Sequence, residues 1–169
     1  MKAFEANDYP VFSLFNNRWG LVTAGTADAF NACTLSWGSL GTIWGGPGQG
    51  RPIVTIYVHP DRYTHTFLRN NDRFTVSFFP ETCRKALEYL GSHSGRKENK
   101  IAAAGLTPIF LENGVAYEEA TLTLVCRKLY EGPFAQEGLA DEIGKGIYAS
   151  REPHWIFVGE ILEAREKAD

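Results

Sequence analysis

Cysteine is scarce in this chain. Only Cys33, Cys83 and Cys126 occur among 169 residues, with no C-x-x-C pair. An odd, scattered count argues against a disulfide framework and a structural zinc site, and points to a reducing compartment, the cytoplasm. Excess positive charge is also missing. Seventeen Lys+Arg face twenty Asp+Glu, for a net charge of −3, and no basic run interleaves with aromatics, so no nucleic-acid partner is expected. No window approaches the roughly 18 apolar residues that span a bilayer, and the first eight residues lack an apolar export core, so neither membrane insertion nor export is expected. His59, His65, His93 and His154 show no i, i+4 pair of the kind that binds zinc on a helix, and no metal is expected.

Several chemical motifs fail on inspection. Gly46, Gly48 and Gly50 miss the dinucleotide spacing, and Gly144-Lys145-Gly146 lacks the remaining parts of a phosphate loop. Gly91-Ser92-His93-Ser94-Gly95 has histidine where a nucleophile elbow needs serine. No residue is therefore assigned as a nucleophile or catalytic acid.

Aromatics are abundant, with four Trp, seven Tyr and eleven Phe, and they supply large buried area as well as flat faces for stacking. A chain of this length buries about 70% of its unfolded surface without metal or disulfide support, which predicts one domain over residues 1–169. Val11 to Phe15 and Gly20 to Gly25, split by Asn16-Asn17, read as an antiparallel pair. Phe30 to Trp37 reads as the next strand, Trp44 to Gly50 as a glycine-rich loop, and Ile53 to Val58 as a strand. Helices are predicted from His59 through Phe67, from Pro80 to Gly91, and from Lys97 to Ala104, with a strand at Phe74 to Phe79 between the first two. Glu112-Asn113-Gly114 is a turn, Ala120 to Arg127 alternates at period two, and Trp155 to Leu162 is a last strand before a charged tail. Glu131 to Ala149 is a long polar connection with a helical turn near Ala140 to Ile143. Without regular strand–helix alternation, the order fits a mainly β, antiparallel barrel of Greek-key type with a few marginal helices.

One polar row stands out. In Asn31-Ala32-Cys33-Thr34-Leu35-Ser36-Trp37, Thr34 and Ser36 fall on one side of a strand because alternate residues point the same way. The plain reading is a solvated strand face. The other is a row of donors and acceptors for a heteroaromatic ring such as a flavin, with Trp37 as a stacking surface.

Read in order, Trp19 to Gly25, Asn31 to Gly41, Pro60-Asp61-Arg62-Tyr63-Thr64, Phe74 to Phe79, Gly91 to Arg96, Ala104 to Pro108, Leu124 to Tyr130 and Val158 to Ile161 resemble the landmarks of the flavin reductase-like, FMN-binding split-barrel family. The likeness covers roughly residues 9 to 163 and rests on the ordered set. It implies a flavoprotein and a homodimer with FMN near the subunit interface, the ring held by Asn31, Cys33, Thr34, Ser36 and Trp37. The phosphate would lie near Arg62 and Thr64, with Ser94, Arg96 and Lys100 as further candidates. A phosphate wants a guanidinium fork, hydroxyls and helix-start amides, and Arg62 to Thr64 sits where such a start is predicted.

The activity implied is that of an oxidoreductase taking a hydride from NAD(P)H. Two alternatives are a flavoredoxin-like electron carrier with a protein redox partner and a flavin-free split-barrel binding module. Several positions depart from the family's usual pattern. Cys33 stands where relatives often have Met, His59 where they often have Arg, Asn99 where Asp is common, and Glu152-Pro153-His154 replaces a more usual Asp-Tyr-His.

Overall fold

The computed structural model describes residues 3–167, so the ends of the predicted domain lie outside it. Among these residues nine strands form, β1 (Gly20–Gly25), β2 (Phe30–Leu35), β3 (Gly38–Ile43), β4 (Arg51–Val58), β5 (Arg73–Phe78), β6 (Pro108–Leu111), β7 (Gly114–Tyr117), β8 (Leu122–Pro133) and β9 (Trp155–Glu166). Among the described residues four α-helices accompany them, α1 (Tyr63–Asn70), α2 (Arg84–Ser92), α3 (Lys100–Ala103) and α4 (Asp141–Gly144). Seven strands make one sheet in the order β2-β1-β5-β8-β9-β4-β3, every pair antiparallel, while β6 and β7 form a separate hairpin across the predicted Glu112-Asn113-Gly114 turn.

The connection between the two outermost strands dictates the shape. In a flat sheet, β2 and β3 would lie roughly 29 Å apart at about 4.8 Å per strand. Only Ser36 and Trp37 separate them in sequence, and so short a link reaches about 10 Å at most. The sheet must curl until its edges meet, yet β2 and β3 do not pair. The result is an antiparallel split barrel, as the resemblance implies.

Period-two alternation sorts the side chains into two cores. Val22, Cys33, Val54, Phe74, Phe78, Leu124 and Phe157 fill the barrel. Leu21, Ala32, Phe79, Leu87, Leu90, Ile101 and Tyr117 form an outer layer beneath α2, α3 and the hairpin. Adjacent residues of β1, Leu21 and Val22, therefore enter different cores, and the strand is buried on both faces.

The structure corrects three local expectations. Val11 to Phe15 is not a strand but part of a helical turn, closed by Leu14 N–H to Pro10 O at 2.9 Å and Arg18 N–H to Ser13 O at 2.9 Å. Both edges of β1 are already taken by β2 and β5, and coiling lets Leu14 and Phe15 plug the barrel. The strand expected from Phe30 to Trp37 stops at Leu35, and a strand at Gly38–Ile43, hidden by its small residues, follows. The charged tail is mostly strand, since β9 runs to Glu166 along β8 with shifts of register between Val125 and Cys126 and between Lys128 and Tyr130.

Candidate functional site

A cleft of about 450 Å³ opens beside the end of β2. Five consecutive residues, Cys33, Thr34, Leu35, Ser36 and Trp37, line it. A sheet face would offer only alternate residues, so a ligand here meets the strand edge-on. β2 pairs only with β1, which leaves about half of its backbone N–H and C=O groups without a ladder partner. This revises the picture of one polar row. The Thr34 hydroxyl donates to Leu87 O of α2 at 2.6 Å, so it has lone pairs but no proton left for a ligand. Trp37 is 41% exposed and its ring lies 4.6 Å from that of His154.

The opposite wall carries positive charge. Arg62 caps α1 and donates from Nη1 to Gly91 O at 2.6 Å, which ties the start of α1 to the end of α2. The first amides of α1, at Tyr63 and Thr64, have no acceptor within the helix and border the cleft. Lys100 is 4% exposed and donates from Nζ to Leu90 O at 2.8 Å and His93 O at 2.9 Å, leaving one of three protons uncommitted. Burial holds its affinity for a proton below the usual lysine range, with Arg62 adding to the effect. Arg151 also lines the cleft and has no hydrogen-bond or carboxylate partner among the described residues.

Of the ten residues singled out in the sequence, eight line the cleft: Cys33, Thr34, Ser36, Trp37, Arg62, Thr64, Ser94 and Lys100. Asn31 and Arg96 stand behind it. Asn31 Nδ2 donates to Thr64 Oγ1 at 2.8 Å, and both residues are buried. Arg96 donates to Asp61 O at 3.1 Å and covers the Tyr63 ring at 4.6 Å. The Cys33 thiol is pushed up by burial, against the pull of Thr64, Lys100 and Arg62, so it is a protonated, half-core side chain rather than a thiolate.

Among the lining residues that sequence reasoning did not assign are His59, Asp61, Arg151 and His154. His59 and His154 were marked only as departures from the pattern. Arg151 had no signal, because it lies just past the long polar connection and reaches the cleft only when β9 lies alongside β4.

His154 is held neutral. Its Nδ1 lies 3.0 Å from Tyr148 Oη, and its proton affinity is pushed down to about 4, first by burial and then by His59, Arg151 and Arg62, with Asp61 opposing. His65, 7% exposed and edge-on to Trp155 and Phe157, is lowered in the same direction, chiefly by burial. Both rings bind fewer protons when folded than when unfolded. Their contribution is whole above pH 6.5 and is lost as pH falls below it, for His154 toward about 4. For His154 the loss is on the order of 1–2 kcal/mol once its partial contact with water is allowed for. Urea midpoints at pH 7 and pH 4.5 are expected to differ less for His154→Gln than for the native chain, and equal differences would show that His154 contributes nothing.

The model of the flavin reductase like domain matches residues 12–169. The chain belongs to that family. Among solved structures, this flavin reductase-like chain is similar to flavoredoxin from Methanosarcina acetivorans, with 24% identity and a TM-score of 0.67 over 89% of this chain and 68% of that one. An FMN-binding protein from Thermus thermophilus with bound p-hydroxybenzaldehyde matches at 21% identity and a TM-score of 0.69, over 99% and 82%. An NADH:FAD oxidoreductase from Streptomyces globisporus C-1027 matches at 18% identity and a TM-score of 0.63, over 95% and 78%. At these identities the likeness carries the split-barrel fold. Among curated proteins, no sequence matches the chain. Among the described residues, no helix is long and apolar enough to cross a membrane.

Proposed function

We propose that this chain is an FMN-binding oxidoreductase of the flavin reductase type. The observation that carries the reading is the charge of the cleft. Three cations, Arg62, Lys100 and Arg151, face a single carboxylate, Asp61, in a protein whose net charge is −3. Such a focus of positive potential selects an anionic ligand. The donor set fits FMN: a guanidinium, an ammonium, the Ser94 hydroxyl and helix-start amides suit a phosphate, while the β2 edge and Trp37 suit a flat polar ring.

Bound FMN would supply the two-electron chemistry, taking a hydride from NADH or NADPH. The protein's own residues bind and orient. Arg62 and Lys100 are pre-aimed by the carbonyls of Gly91, Leu90 and His93, so little ordering is needed when an anion arrives. Asn31 fixes the Thr64 hydroxyl. Backbone amides of the unpaired β2 edge are the donors for negative charge on the ring, a role the Thr34 hydroxyl has no proton for. The family model matching residues 12–169 supports reading that span as one domain. Exposed Phe12, Ile43 and Trp44 offer apolar surface for a homodimer. Three unpaired cysteines, two of them buried, suit the cytoplasm.

The test has two stages. The purified protein is expected to be yellow or to take up FMN stoichiometrically, and failure to do so would favour a flavin-free binding module. The FMN-loaded protein, mixed anaerobically with NADH or NADPH, is expected to bleach within seconds. Bleaching with neither nucleotide would overturn the reductase reading and leave electron exchange with a protein partner, for which the similarity to flavoredoxins speaks.

A further inference from the structure

Tyr148 and His154 meet behind the part of the cleft wall that holds Trp37. The Tyr148 hydroxyl lies 3.0 Å from His154 Nδ1, the two rings are 5.9 Å apart, and the His154 ring packs on Trp37 at 4.6 Å. Tyr148 is 5% exposed and stands outside the cleft lining, whereas His154 belongs to it. The hydrogen bond therefore joins a buried hydroxyl to the back of a ring whose front meets the cleft. His154 Nε2 has no hydrogen-bond partner among the described residues and is not enclosed by them, so it is open to a ligand.

Which of the two atoms donates decides what the cleft offers. A neutral imidazole has one N–H. If Nδ1 carried it and gave it to the tyrosine oxygen, Nε2 would turn a lone pair to the cleft and the Tyr148 O–H would need another acceptor. Among the described residues it has none, and a buried donor left unpaired disfavours an arrangement by about tenfold or more. An imidazolium, donating from both nitrogens, would orphan the same hydroxyl. With Tyr148 as the donor, its proton is used, the Nδ1 lone pair is filled, and the ring's own proton stands on Nε2.

We propose that Tyr148 is a positioning residue, whose buried hydroxyl donates to His154 Nδ1 and so holds His154 as the Nε2–H tautomer, an uncharged donor facing the cleft beside Trp37. The cleft is thereby divided. Arg62 and Lys100 offer charge to an anion, while the wall of Trp37 and His154 offers a flat face and one neutral N–H, which suits a carbonyl oxygen on a conjugated ring. Tyr148 comes from the connection between β8 and β9, where its amide donates to Ile143 O at 3.3 Å, so its hydroxyl also ties that connection to the cleft. The assignment concerns this chain's own residues and holds whatever the cleft binds.

Two-bond ¹H–¹⁵N spectra of the uniformly labelled full chain distinguish the two tautomers and the imidazolium of each histidine, and His154→Gln identifies the signals. At pH 7.5 the native chain is expected to show His154 protonated at Nε2, with a hydrogen-bonded lone pair on Nδ1. Tyr148→Phe keeps the buried ring and removes only the donor. In this variant the Nδ1–H form of His154 is expected to rise about tenfold relative to the Nε2–H form, the worth of one hydrogen bond, while amide signals far from residues 143–155 stay in place and show that the chain is folded. Nδ1–H or imidazolium as the main form in the native chain would overturn the proposal, and does so even if Tyr148→Phe fails to fold. The native ratio of tautomers in a folded Tyr148→Phe would overturn it as well.

Discussion

Replacing Arg62 by alanine is expected to weaken FMN binding by about ten- to a hundredfold, the usual worth of a hydrogen bond to a charged group. The guanidinium stands at the start of α1, where unpaired amides already favour an anion, and its grip on Gly91 O holds it there. Arg62→Lys keeps the charge but loses the fork, and should fall between the two. Fluorescence titration with FMN measures the series, with riboflavin as the control that lacks phosphate. If Arg62 meets the phosphate, the variants should lose affinity for FMN and little for riboflavin. An equal loss for both would place Arg62 against the ring instead, and no loss would remove it from the site.

Gly159→Ala is expected to destabilise the fold by about 2–3 kcal/mol, the upper part of the range for overpacking a filled core. A Cβ at this position of β9 would overlap the Phe74 ring, which is 1% exposed, and lie 2.9 Å from Cys126 Cβ. None of these atoms can retreat, because Phe74 fills the barrel between β1 and β8. Thermal unfolding should drop by roughly 5–10 °C for a chain of this size. A change under 2 °C would mean that β9 shifts along its irregular register with β8 to make room.

What could be read in the sequence was what local pattern encodes. The period-two run through Leu122, Leu124 and Cys126 gave β8, and the spacing of Cys83, Leu87 and Leu90 gave α2. Gly38–Ile43 was illegible because its strand character comes from pairing with β4 rather than from its own side chains. Val11 to Phe15 misled for the opposite reason. Its residues favour a strand locally, but no strand edge was left for them. For the site, the polar types at 34 and 36 both border the cleft, but the direction of a hydroxyl is a tertiary fact. Nothing near Thr34 in sequence reveals that Leu87 O, 53 positions on, takes its proton. Arg151 was invisible for the same reason, since only the meeting of β4 with β9 brings it to a cleft begun at Cys33.

The break between β2 and β3 has a thermodynamic side. A barrel whose first and last strands meet without pairing has an open seam, and along the β2 side the backbone groups must be solvated by water or by something else. A ligand that docks there does part of the work of an eighth strand. Its occupancy and the stability of the whole barrel are then one linked quantity, about 2.7 kcal/mol at a hundred times Kd. The cofactor would be a structural member as well as a reagent, and its loss would be felt first as softening of the seam.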